Sequence, residues 1–215
     1  MPPPAQIVIL NGAPRSGKSS IVAAMQESAD RPWMNLGVDV FARHVTPPRW
    51  QPGIGLRPGE DRPDLQALIP TFHAALYESI AAHSRLGLAI VTDVGHHVAN
   101  PEGIAVLIDC ARIVSGLPVL FVGVHAPLAI IMERRRAAAA DGGPHAAASE
   151  DEPVPEPVVR WQNAVRAPGL YDLEIDTSLT SPAESAVLIA GRVANPPAGP
   201  TAFERLAVSK GTKDA

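Results

Sequence analysis

The chain has 215 residues, enough for one domain with appendages, and 46% of them are hydrophobic; with only 4% aromatic, Ala, Val, Leu and Ile must fill the core. A net charge of −4, with no Lys/Arg run except Arg134-Arg135-Arg136, excludes the broad positive footprint of a non-specific nucleic-acid binder. A single cysteine, Cys110, excludes an internal disulfide, and no apolar run approaches the roughly 18 residues that span a bilayer; the expectation is a cytoplasmic protein with neither a membrane nor a nucleic acid as partner.

In chain order, Ile7–Leu10 is predicted as a strand and Lys18–Ala29 as a helix, followed by a weaker strand at Met34–Val38. A helix is expected over Leu65–Leu86, a strand at Leu88–Thr92, a helix at Glu102–Ser115 and a strand at Val119–Val124. A helix at Pro127–Ala140, a strand at Leu173–Ile175 and a helix at Pro182–Val193 complete the series. Apolar β-branched runs separated by helix-length segments imply an α/β fold, a parallel sheet covered on both faces. Pro127 and Pro182 suit first helical positions, and Ser181 with Glu184 makes a capping box. Residues 46–64, rich in Pro, Gly, Arg and Asp, and residues 137–157, running from an Ala tract through Asp141-Gly142-Gly143-Pro144, interrupt this rhythm as long loops of the kind that are either functional lids or disordered segments. Residues 1–195 are expected to form the domain and 196–215 a mobile tail.

Gly12-Ala13-Pro14-Arg15-Ser16-Gly17-Lys18-Ser19 matches the phosphate-loop pattern G-x-x-x-x-G-K-[ST] in full, between a predicted strand and a predicted helix. The glycines let backbone N–H groups turn inward around phosphates, and the helix N-terminus, which Ser20 extends, adds about half a positive charge. Lys18 is expected on the β- and γ-phosphates and Ser19 on Mg²⁺. The N-K-x-D base reader of GTPases and the L-S-G-G-Q signature of transport ATPases are absent from the sequence. Elimination leaves a compact nucleotide or metabolite kinase using ATP and Mg²⁺.

Asp93 follows the third strand in sequence, where a carboxylate meets the ligand crevice and would hold Mg²⁺; capping a nearby amide is the alternative. His96 and His97 follow, either facing substrate or solvated. Asp39 is expected at the end of the second strand, opposite the phosphate loop. There it is either an N-cap or the carboxylate that orients an acceptor hydroxyl and takes its proton. Arg134-Arg135-Arg136 reads equally as a solvated helix face or as a source of one catalytic guanidinium.

Leu10-Asn11-Gly12 leading into the phosphate loop, Gly37-Val38-Asp39, Thr92-Asp93-Val94 and Tyr171-Asp172-Leu173-Glu174-Ile175-Asp176-Thr177-Ser178 together resemble chloramphenicol phosphotransferase and its relatives, in order from about residue 6 to residue 194. The resemblance implies a five-stranded parallel sheet flanked by helices, like that of shikimate and adenylate kinases, with a lid after the fourth strand. It implies transfer of the ATP γ-phosphate to a hydroxyl of an antibiotic-like small molecule. Lys18 and Ser19 carry over as phosphate and magnesium ligands, Asp39 as the base, Asp93 as the acidic residue ending the third strand, and Arg134 as a lid-hinge arginine. Pro14 and Arg15 stand where the chloramphenicol enzyme has serines near its acceptor, and Ala137–Gly143 replaces an Arg-Gly-Asp-Arg-like segment. Two other readings stay open: a kinase of a polar primary metabolite served by Arg43, Arg49, Arg57 and Arg62, and a nucleotide-binding protein with weak or no transfer. Phe41, Trp50 and Phe72 point instead to a partly apolar acceptor.

Overall fold

Side chains alternate across β1 (Ile7–Asn11). Ile7 and Ile9 enter one core, with α3 (Ile69–Arg85), α4 (Pro101–Ile113) and α8 (Ala202–Ala207), while Val8 and Leu10 enter another, with α1 (Lys18–Ser28) and α7 (Pro182–Ala194). The two-residue period of a strand forces this division, and both of its sides must be apolar when helices cover both faces. The structure, a computed structural model, describes residues 2–28, 31–51, 63–98, 101–140, 154–165 and 170–209.

Around β1 lie β2 (Trp33–Asn35), β3 (Ala89–Val94), β4 (Val119–His125) and β5 (Leu173–Asp176), all parallel, in the order β2-β3-β1-β4-β5. This is the five-stranded sheet expected from the sequence. Its register places Leu10 opposite Asp93, and Asn11 opposite both Val94 and Gly123, so β1 and β3 end level where β1 enters the phosphate loop and β4 runs two residues further, to His125. Ligand crevices form at such carboxyl ends. Cys110 is buried on α4, and burial pushes its thiol up, as suits an inert core residue.

Several local expectations need correction. The second strand does not run to Val38: β2 ends at Asn35, and Asp39 lies in the first turn of α2 (Val38–His44), with Gly37 as N-cap. Asn35 causes the turn, because its Oδ1 accepts the Gly37 N–H at 2.9 Å and bends the chain out of the ladder. The single helix expected over Leu65–Leu86 divides into a 3-10 segment at Pro63–Leu68 and α3, which takes Pro70 within its first turn. After α5 (Leu128–Ala140), the chain forms α6 (Glu156–Val165), which the sequence reading placed partly in a lid and partly nowhere. Pro157 falls in the first turn of α6, where a missing N–H costs nothing.

The mobile tail is also corrected. Thr201 and Glu204 form a reciprocal capping box that starts α8, and Ala202, Phe203 and Leu206 are buried. Phe203 stacks on Tyr77 and meets Phe121 edge-on, with centroids 6.2 and 4.8 Å away. Asp172 ties the helix down, its Oδ1 accepting the Ala202 N–H at 2.7 Å while Oδ2 accepts the Phe121 N–H at 2.9 Å. Residues 52–62, 141–153 and 210–215, which hold most of the expected acceptor-side loop, lid and tail end, lie outside the described residues.

Candidate active site

Residues 12–19 wrap the point where β1 becomes α1. Gly17 takes φ +100° and Arg15 takes φ +67°, a left-handed conformation that a side chain adopts only under constraint. Ser16 N–H closes a turn on the Ala13 carbonyl at 3.1 Å. Gly12 has no room for a Cβ, which would run into the Val124 carbonyl and Ser16 Oγ. Lys18 Nζ donates to the Gly12 and Ala13 carbonyls at 2.8 and 3.0 Å, so the ammonium lies inside the loop rather than out in solvent. Ser16 Oγ is buried and has no hydrogen-bond partner among the described residues. An orphaned hydroxyl and an inward lysine beside a helix N-terminus are donors arranged for an anion such as a phosphate. The sequence-predicted set Gly12, Ala13, Pro14, Arg15, Ser16, Gly17, Lys18, Ser19 and Ser20 is thus continuous in space.

Ser19 Oγ donates to Asp93 Oδ2 at 2.7 Å, joining the start of α1 to β3. Asp93 is buried within β3, one residue before its end. The other carboxylate oxygen rests against Gly37, where any Cβ would collide with it. A hydroxyl and a carboxylate at the mouth of a phosphate loop are hard oxygen donors that fit Mg²⁺, which takes one or two protein ligands and completes its shell with water and phosphate oxygens. Asp93→Asn is expected to weaken the Mg²⁺ dependence of nucleotide binding by at least about tenfold, since a charge-assisted bond is worth roughly 1.5–3 kcal/mol. Titrating Mg²⁺ at fixed ATP checks this, and an unchanged Mg²⁺ midpoint would rule out Asp93 as a metal-side residue.

The same close approach brings α2 to the site. Asp39 is exposed in its first turn, where the helix N-terminus favours a negative charge, and it accepts no hydrogen bond from a described residue. Between α2 and α3 lies a small crevice of about 20 Å³ lined by Val38, Phe41, Ala42, Thr46, Phe72, His73 and Leu76. Arg49 lies over the Trp50 ring, 5.0 Å from its centroid, and is not in the crevice wall.

Arg134, on α5, reaches the other side of the loop. Its Nη1 donates to the Arg15 carbonyl at 3.2 Å and to Thr177 Oγ1 at 2.9 Å, and its Nη2 donates to the Thr177 carbonyl at 2.9 Å. It is therefore no solvated face residue. His96 is not solvated either, and His97 is half-buried. His96 is buried, with Nε2 2.8 Å from the Tyr77 hydroxyl and its ring 5.1 Å from that of His73, while His97 lies against Trp161. Asn11 links this group to the loop: its Nδ2 donates to the His96 carbonyl at 3.0 Å and to the Tyr171 hydroxyl at 2.8 Å. Tyr171, pushed up to about 12 chiefly by burial, donates in turn to the Val165 carbonyl at 2.6 Å. Trp161 of α6 packs against Gly95. Asn11, Thr177, Tyr77 and Trp161 bond or pack around the phosphate loop and the turn after β3, contacts that the sequence did not reveal.

Burial, reinforced by His73 and His97, holds the His96 imidazole well below its ordinary value; burial lowers His73 and His97 as well. The unfolded chain therefore binds protons near pH 6.5 that the folded chain does not. Stability contributed by neutral His96 is complete above that pH and is lost as pH falls below it, by about 1.4 kcal/mol per unit for one proton. Thermal midpoints at pH 7, 6 and 5 should fall more shallowly for His96→Gln than for the wild type; identical slopes would show that His96 is not the proton-linked group.

Among solved structures, the chain is similar to the APS kinase of Mycobacterium tuberculosis (TM-score 0.62, 14% identity, covering 90% of this chain and 100% of that one) and to the shikimate kinase of Acinetobacter baumannii (TM-score 0.54, 11% identity, covering 92% and 96%). At these identities the likeness concerns the fold, which is that of a P-loop kinase. It is 28% identical over 187 residues, 83% of this chain and 77% of the relative, to a Mycobacterium tuberculosis H37Rv protein named "Putative O-phosphotransferase Rv2636". The family model described as chloramphenicol phosphotransferase-like protein matches residues 5–194, and the chain belongs to that family.

Proposed function

We propose that this phosphotransferase moves the γ-phosphoryl group of ATP to a hydroxyl of a small, partly apolar molecule, antibiotic-like and related in character to chloramphenicol. The observation that supports the reading is the contact between Gly37, two residues before Asp39, and Asp93, whose other carboxylate oxygen accepts the Ser19 hydroxyl. Asp39 orients the acceptor hydroxyl and takes its proton as the oxygen bonds to the γ-phosphorus. The bond from the γ-phosphorus to the bridging oxygen breaks, and ADP leaves. Lys18 and the loop amides offset the charge on the phosphoryl oxygens. Ser19 and Asp93 would hold Mg²⁺, which when bound neutralises β- and γ-phosphate charge.

The crevice between α2 and α3, about 20 Å³, must open to admit such an acceptor; its wall of Val38, Phe41, Ala42, Phe72 and Leu76, with Thr46 and His73, supports a partly apolar one because it holds no Lys or Arg for an anionic metabolite. Arg15, in place of a serine, supports an acceptor other than chloramphenicol itself. The test is incubation with ATP, Mg²⁺ and two panels, hydroxylated antibiotics and polar metabolites, with mass spectrometry reading a gain of one phosphoryl group. Product from the first panel is expected. Product from the polar panel alone would overturn the acceptor class, and none from either, with ATP still bound, would overturn transfer.

A further inference from the structure

One side chain outside the phosphate loop is bonded to it and to the arginine at once. Thr177 follows β5, and its Oγ1 donates to the Ser16 carbonyl at 2.7 Å while accepting from Arg134 Nη1 at 2.9 Å. The His125 carbonyl, at the end of β4, lies 3.2 Å from the same oxygen, and its other lone pair accepts the Thr177 N–H at 2.9 Å. The Thr177 side chain also packs on Gly17, where a Cβ would stand 3.2 Å from its methyl group. Ser16 and Gly17 sit between the left-handed Arg15 and the phosphate-binding Lys18, so Thr177 touches the loop at its most constrained stretch.

We infer that Thr177 is a positioning residue for the nucleotide. Its hydroxyl fixes the Ser16-Gly17 segment in the phosphate-binding shape before any nucleotide arrives, and sets the Arg134 guanidinium at the loop rim in the same act. The argument is geometric. A hydroxyl has one hydrogen to donate and lone pairs to accept, and here the hydrogen goes to the loop while a lone pair takes the arginine. A valine would fill the same volume and keep the packing on Gly17 while leaving the Ser16 carbonyl and an arginine N–H unmet. The left-handed residues would then have to be ordered at the moment of binding, which lowers affinity. Thr177 touches no reacting atom in this account; it acts through the loop and through Arg134.

The inference rests on the reading of this loop as an ATP site but is tested without an acceptor. Titration of the full chain with Mg·AMP-PNP should show about tenfold weaker binding for Thr177→Val, and binding within about twofold of wild type for Thr177→Ser, which restores the hydroxyl. Arg134→Ala completes a cycle: the double variant with Thr177→Val should bind more tightly than two independent losses allow. Wild-type affinity in Thr177→Val, tenfold loss in Thr177→Ser, or fully additive losses would each overturn the role. Should Thr177→Val not fold, Thr177→Ala takes its place in the same comparison. No saturable binding by the wild type would instead sink the ATP site itself, so the two failures can be told apart.

Discussion

Asp39→Asn is expected to bind Mg·ATP like the wild type and to transfer phosphate about 10²–10⁴ times more slowly, the range that general-base catalysis supplies. In barrier terms that is about 3 to 5 kcal/mol. The structural cost of the change is smaller. Asp39 is exposed, accepts no hydrogen bond from a described residue, and gains only the roughly 0.3–1 kcal/mol that a helix N-terminus gives a surface carboxylate. The two effects therefore separate: melting should shift little while turnover collapses. Asn keeps an oxygen that can orient the hydroxyl but cannot take its proton near neutral pH. Residual activity should come from orientation alone. Full turnover in this variant, measured with whichever acceptor the panel yields, would move the base to another residue and leave the nucleotide half of the reading standing.

Phe203→Ala is expected to cost about 3–5 kcal/mol of folding stability, a large part of the roughly 5–15 kcal/mol that holds a domain together. The side chain is 2% exposed and is wedged between Tyr77 and Phe121. Truncation after Pro200 should cost at least as much, because it also strips Asp172 Oδ1 of the Ala202 N–H and uncovers both rings. Chemical denaturation midpoints of wild type, Phe203→Ala and the truncated chain check this. A truncated chain as stable as the full one would mean that α8 rests on the core without holding it. Tyr77 bonds His96, whose carbonyl Asn11 holds, so loss of α8 is also expected to loosen the turn after β3.

Much of this was legible in the residues. β1, β3 and β4 each carry an apolar run, broken only toward their carboxyl ends by residues such as Asn11, Thr92, Asp93 and His125, because the parallel sheet is covered on both faces, and the phosphate loop announces itself by spacing and context. β2 was misjudged because an edge strand of three residues carries almost no period, and its end is decided by an Asn35 side-chain bond that no pattern predicts. α6 was hidden by Pro153, Pro155 and Pro157, which read as loop although a proline inside the first turn is compatible with a helix. α8 did carry a signal, since Thr201-x-x-Glu204 repeats the capping box recognised at Ser181 and Glu184. Its short length and the proline-rich approach outweighed that signal. The histidines misled for a different reason: burial of His96 depends on Tyr77, nineteen positions away on another element, and adjacent residues say nothing of it. Thr177 belonged to a quoted segment, yet its role depends on Ser16 and Arg134, which only the folded chain brings together.

Gly37 has an ordinary backbone, with φ −60°, so nothing about its torsion calls for glycine. What calls for it is the Asp93 carboxylate lying against its α-carbon. A methyl group there would wedge the segment bearing Asp39 away from the carboxylate that Ser19 contacts, lengthening the jump a phosphoryl group must make. With Asp39 as the proposed base, the span between donor and acceptor would be gauged by a hydrogen atom, and Gly37→Ala is expected to widen it while leaving both reacting partners their own binding surfaces.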